Sequence, residues 1–244
     1  MTAAKPTIVL VHGAFADGSS WEGVIERLQH DGYRVEAPAI ALRGVTEDSA
    51  YLASVVNQID GPVLLVGHSY GGALISNAAT EVENVVGLVF VAAFAPDTDE
   101  VLGEVAAESK DSILMTAQVQ RTYPTGKDGE TAPEISIDPA KLREVFAADL
   151  PEERTAVMAA TQRPVAAAAF GDRSGPPAWK SLPSWAVVAT ADKAAGTDVV
   201  RSMARRAGAE ITEIESSHVV MISQPQAVTD VIVKAARAVA ASDR

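Results

Sequence analysis

Cysteine is absent from the 244 residues, which excludes a disulfide framework and any thiolate metal site. No block of lysine and arginine occurs either; charges of both signs are mixed along a chain of net charge −12. Phosphate backbones are bound by clustered cations, so no nucleic-acid partner is expected, and the acidic surface serves solubility. The most apolar segment, residues 85–96, falls short of the roughly 20 residues that a membrane span needs. The first residues, MTAAKPTIVLVHG, lack a signal-peptide plan, so a cytoplasmic protein is expected. Internal repeats and low-complexity linkers are missing as well. What is there is 48% apolar and 21% charged residues, ordinary for a soluble globular protein with a sizeable core. α/β enzymes of this length commonly fold as one domain.

Short apolar runs rich in Val, Ile and Leu lie at residues 7–11, 34–37, 63–66, 85–92, 184–189 and 210–214. They read as strands covered on both faces. Helical spacing separates them, at residues 20–30, 46–58, 70–79, 197–207 and 224–239. Strand–helix alternation predicts a doubly wound, mainly parallel α/β sheet of about six strands. Residues 97–182 break the alternation and contain no convincing strand. Within them Asp138-Pro139 reads as a cap opening a helix with Leu142, Val145 and Phe146 on one face. Asp149 with Glu152 reads as a capping box for a second helix to about Thr161. Such an insertion is expected to form a helical lid over the C-terminal edge of the sheet. Its aromatics Tyr123, Phe170 and Trp179 have no evident place in a helix–sheet core and are candidate substrate contacts.

Chemistry concentrates in a few places. LLVGHSYGGA, residues 64–73, bends from strand to helix at Gly67-His68-Ser69-Tyr70-Gly71, the context of a nucleophile elbow. Ser69 at such a turn projects its hydroxyl from the sheet edge, and the Tyr70 N–H at the helix start points toward a developing oxyanion. Upstream, the strand VLV runs into His12-Gly13-Ala14-Phe15, whose loop offers a second oxyanion donor at Ala14. The spacing of Gly13 and Gly18 imitates a phosphate-binding loop. That loop needs a lysine where this chain has Ser19, so nucleotide binding is excluded.

Of four histidines, His12 and His68 flank backbone turns and His30 ends a helix. His218, in Glu215-Ser216-Ser217-His218, follows the last strand and is the candidate base. Asp192, just beyond the strand at 184–189, is the candidate acid. Asp97 follows the strand at 85–92 and is a rival, although Asp97 with Glu100 also reads as a capping box. The order Ser69, Asp192, His218 is that of a hydrolase triad.

VLVHGAFADGSSW, LLVGHSYGGALISNAA and ESSHVVMISQPQAV resemble the α/β-hydrolase fold over essentially the whole chain. The nearest likeness is to the small esterases that include plant methylesterases and hydroxynitrile lyases. The resemblance implies a serine hydrolase acting on a small-molecule ester or lactone, with no cofactor or metal. It implies Ser69, Asp192 and His218 as triad and Ala14 and Tyr70 as oxyanion amides; Phe15 and Val219, next to Ala14 and His218 in the chain, are further candidate substrate contacts. The family's two leading strands are expected to be absent, leaving six. Hydroxynitrile lyases carry threonine where this chain has Gly13 and lysine where it has Val219, so hydrolysis is favoured over carbon–carbon cleavage. A non-catalytic receptor on the same fold is disfavoured by the filled triad positions. Oligomeric state is not specified.

Overall fold

A computed structural model describes residues 5–242. The chain begins with β1 (Thr7–Val11), a 3-10 turn, and α1 (Glu22–His30), followed by β2 (Val35–Glu36) and α2 (Val45–Val56). Next come β3 (Val63–His68), α3 (Tyr70–Ala78) and β4 (Val85–Val91). The insertion holds α4 (Leu102–Ala107), β5 (Gln118–Pro124), β6 (Thr131–Ile137), α5 (Leu142–Phe146), α6 (Glu152–Thr161), β7 (Val165–Ala166) and α7 (Ala168–Gly171). The alternation then resumes with β8 (Ser184–Ala189), α8 (Thr197–Arg206), β9 (Glu210–Ile214), α9 (Val220–Ser223) and α10 (Pro225–Ser242).

The main sheet has the six expected strands, ordered β2-β1-β3-β4-β8-β9, and every pairing is parallel. Its central strands are buried along their length, as their unbroken apolar runs require. α2 packs with α3, and α1 packs with α10, which also covers β4 and β8. The strand order reverses between β1 and β3, so the loops leaving these two strands part there and open a crevice. His12 to Ala14 follow β1, and Ser69 follows β3. No helix among the described residues is long and apolar enough to cross a membrane.

The insertion departs from the expected all-helical lid. β5, β6 and β7 form a three-stranded antiparallel sheet, with β5 and β6 paired from Gln118↔Ile137 to Pro124↔Thr131. Both strands are largely exposed or half-buried, so apolar alternation is weak, and Pro124 and Pro133 argue against a strand in a sequence pattern.

Two expected caps also differ. Asp149 turns away from α6, which starts after Pro151 without a side-chain cap, and bonds elsewhere. Asp97 does receive the Glu100 half of its box, since its N–H donates to Glu100 Oε2 at 2.8 Å. Yet α4 begins only at Leu102, and the Asp97 carboxylate bonds the Thr98 N–H and Lys180 instead.

α3 lies against the segment after β4 with no room to spare. A Cβ at Gly72 would stand 2.2 Å from the Phe94 carbonyl oxygen and 2.8 Å from Ala93 Cβ, both backbone-anchored. Gly72→Ala is therefore expected to cost about 3 kcal/mol or more, read as a lowered urea midpoint with an unchanged slope.

Candidate active site

Ser69 sits between β3 and α3 with φ 53° and ψ −120°, on the left-handed side of the backbone map that non-glycine residues avoid. Strand β3 runs further than its apolar pattern, because Gly67 and His68 continue the ladder opposite Phe90 and Val91. The turn is pinned from three directions. Ser69 N–H donates to the Val91 carbonyl at 3.3 Å, and the Ser69 carbonyl accepts from Gly72 at 3.0 Å and Phe94 at 3.2 Å. The β1 loop closes on the same spot, where a Cβ on Gly13 would stand 2.7 Å from Ser69 Cβ and 3.0 Å from His68 Nδ1.

The three buried histidines are separated by what their ring nitrogens meet. His12 Nε2 accepts from Ile40 N–H at 3.0 Å, so its proton is on Nδ1, facing the Gly13 carbonyl at 2.9 Å. His68 Nε2 lies 3.0 Å from the His218 carbonyl and must donate. Burial depresses the pKa of His12, and that of His68 well below the usual histidine value, so both rings stay neutral backbone struts. His218 differs: its Nδ1 lies 2.7 Å from Asp192 Oδ2, both side chains being 1% exposed. A carboxylate on Nδ1 fixes the proton there and leaves the Nε2 lone pair free. Nε2 meets no partner among the described residues, and the ring lines a cavity of about 180 Å³ together with Ser69, Ala14 and Phe15.

Asp192 is itself held rigidly. Its Oδ1 accepts from Ala194 and Ala195 N–H at 2.9 and 3.0 Å, while its own N–H donates to Thr197 Oγ1. Tyr70, as the first residue of α3, has no intrahelical acceptor for its N–H. Neither that amide nor the Ala14 amide meets an acceptor among the described residues, and Ala14 borders the cavity.

Ser69 on its strained strand-to-helix turn and His218 backed by a buried aspartate thus line one cavity at the edge of an all-parallel sheet. A model of the alpha/beta hydrolase family matches residues 8–231. The chain belongs to this family. It is 30% identical over 60% of its length to the pyrethroid hydrolase of Sphingobium wenxiniae, spanning 56% of that protein. To Methylesterase 8 of Arabidopsis thaliana it is 33% identical over 38% of its length, spanning 40% of that protein. The chain thus aligns with about half of these curated relatives. The crystal structure of polyneuridine aldehyde esterase superposes with a TM-score of 0.81, covering 95% of this chain and 99% of that one at 22% identity, which shows a shared fold.

Residues of the insertion line the cavity together with Ser69 and His218, and its aromatics divide. Phe170 lines the cavity. Tyr123 does not: its ring lies under the Arg43 guanidinium, 3.9 Å from ring centre to Cζ. Trp179 is buried beneath the insertion's base, its Nε1–H donating to the Pro96 carbonyl at 3.1 Å with Arg206 over its ring. Val219 faces an adjoining groove instead of the cavity.

Two residues matter more than their sequence context indicates. Phe146, read as one apolar position of a helix, lies edge-on to Phe15 at 6.1 Å and 5.1 Å from the His218 ring. Asp149 accepts from Ser216 Oγ at 2.9 Å and Ser217 N–H at 3.2 Å, and also bonds the Ser217 hydroxyl. It clamps the loop that carries His218. Only the run of serines before His218 hints at such a partner, and it does not name one.

Asp192→Asn is expected to lower kcat by roughly three to four orders of magnitude, because the asparagine amide favours the wrong tautomer. Asp97→Asn removes only a surface contact to Lys180, worth less than about 1 kcal/mol, and is expected to keep turnover. Side-by-side kinetics decide which aspartate is the acid. At Asp149, burial pushes the pKa up, but hydrogen bonds from Ser217, Ser223 and Ser216 outweigh it and leave the carboxyl below its ordinary range. Its contribution to stability is thus present above the unfolded-state pKa and fades as pH falls through the folded one. The difference in urea midpoint between parent and Asp149→Asn should shrink with acidification.

Proposed function

We propose that this protein hydrolyses small carboxylic esters through a serine acyl-enzyme. The observation that carries the reading is the buried Asp192–His218 pair, which turns a bare Nε2 into the cavity that Ser69 lines. The esterase names of the relatives and the family membership support the same reaction class.

In this reading His218 Nε2 removes the Ser69 proton as Oγ attacks the ester carbonyl, and Asp192 stabilises the imidazolium that forms. The Ala14 and Tyr70 amides stabilise the oxyanion, each worth about 3 kcal/mol. The tetrahedral intermediate collapses with loss of the alcohol oxygen, which takes the proton from His218. Water then enters, gives its proton to His218 and attacks the acyl carbonyl, and the acid leaves as Ser69 regains its proton. A lactone is an ester closed on itself and reacts by the same steps.

Carbon–carbon cleavage fits this site less well. Val219 is buried and apolar and sets no cation beside His218, and the Gly13 position has no room for a side chain in the present packing.

The test combines labelling with a pH profile. A phosphonate ester should label the protein once, at Ser69, and Ser69→Ala should abolish both label and turnover while the folded-state circular dichroism is kept. kcat/KM should fall in acid with a slope of one, since only His218 has to be neutral for attack and His68 stays neutral through the same range. Labelling at Ser19 or Ser217, or a rate that is flat into acid, would contradict the assignment.

A further inference from the structure

Behind the wall of the catalytic cavity lies a second, more open groove of about 310 Å³, between the start of α1 and α6. Phe15 and Phe146 line both spaces. Their edge-on contact is the partition, and both rings are nearly fully buried. On the far side the floor is Val219 and Ile222, and the α6 wall presents Val157, Met158 and Arg154. Past Ser19, Ser20 and Glu22 the groove continues into a shallower depression along Pro151 and Met221.

The position of this groove follows the order of proton transfers. The base that deprotonates the serine must return its proton to the leaving oxygen, so the alcohol half of the ester has to lie on the His218 side of Ser69. That side is bounded by Phe146, packed against the His218 ring, and by Val219, the next residue in the chain, which faces the groove. The catalytic cavity alone, at about 180 Å³, falls below the ~300–1,000 Å³ typical of small-molecule sites. It holds one half of a bulky ester and not both.

The geometry points to this groove as the subsite for the alcohol half of the substrate, reached when the Phe146 ring turns away from Phe15. The chemistry that fits is a bulky apolar or aromatic alcohol. Phe15, Val219, Ile222 and Met158 offer it an apolar bed. Arg154, which makes no ion pair among the described residues, can lie over an aromatic face as a cation. The acyl half then occupies the catalytic cavity, against Phe94, Leu114, Met115 and Phe170. This inference rests on the ester-hydrolase reading and adds to it which half of the substrate goes where.

Two exposed positions allow a crossed test without disturbing the core: Val157, 57% exposed on the groove, and Met115, 71% exposed at the cavity mouth. The probes are methyl butanoate, naphthylmethyl butanoate and methyl naphthylacetate. Val157→Trp should lower the ratio of kcat/KM for naphthylmethyl butanoate to that for methyl butanoate by about tenfold or more. Met115→Trp should instead lower the ratio for methyl naphthylacetate. The reverse pattern, or no change of either ratio in Val157→Trp, overturns the assignment. If the parent protein hydrolyses none of the three, the ester-hydrolase reading fails on its own. Calorimetric titration of naphthylmethanol into Ser69→Ala then decides the groove: binding lost on adding Val157→Trp keeps the site, and absent or unaltered binding removes it.

Discussion

Everything at this site depends on one residue held in a conformation it would not choose. Ser69 at φ 53° carries a backbone strain of about 1–3 kcal/mol, and such strain persists only where the surroundings leave no alternative. Here the surroundings are the two central strands. β4 receives the Ser69 amide through Val91, and the segment beyond it returns a bond from Phe94. The β1 loop closes on Ser69, and α3 on the segment after β4, so tightly that Gly13 and Gly72 have no space for a side chain. A serine placed there cannot relax into the helix that follows, so its hydroxyl stays at the sheet edge.

Three histidines are equally buried, and their hydrogen-bond partners separate them. Each has its tautomer fixed by a neighbour: Ile40 N–H for His12, the His218 carbonyl for His68, the Asp192 carboxylate for His218. Two of these neighbours are neutral backbone groups, which make the ring a strut. The third is a carboxylate, which holds the ring by Nδ1 and leaves Nε2 facing the cavity. His68 also supports His218 through its carbonyl, so one histidine positions the other. In the proposed mechanism this difference in partner, and no difference in the imidazoles, selects the base.

The insertion also holds the loop that carries His218. Asp149 reaches from the junction of α5 and α6 to the serines before His218, and Phe146 from α5 touches the imidazole itself. Displacing the insertion would therefore disturb the proposed base as well as the cavity wall. Its base is tied to the main domain by Arg206, which bonds Glu100 and the Ala95 carbonyl and lies over Trp179.

Legibility in the sequence follows the range of the interactions involved. The strands at 7–11, 184–189 and 210–214 match β1, β8 and β9, because unbroken apolar runs between turn residues are local signals of a doubly covered sheet. The elbow at Ser69 is likewise local: five consecutive residues specify strand, bend and helix. Parallel pairing follows from alternation, and it places the ends of β3, β8 and β9 on one edge. Asp192 and His218 are therefore candidates for one site in the sequence, and the structure brings the two side chains into contact. The β5–β6 hairpin was not legible, since a half-exposed sheet leaves no apolar alternation and its prolines point the other way. Asp149 was read as a cap because Glu152 is near in sequence, whereas its partners Ser216 and Ser217 are near only in space. Phe146 looked like any core position of a helix. Sequence by itself determined the sheet and the strand-to-helix turn at Ser69, since each is encoded within a few consecutive residues. Tertiary structure alone decided which histidine meets a carboxylate, which aromatics line the cavity, and how the insertion grips the His218 loop. Those contacts join residues tens to more than a hundred positions apart, and no local pattern of polarity records them.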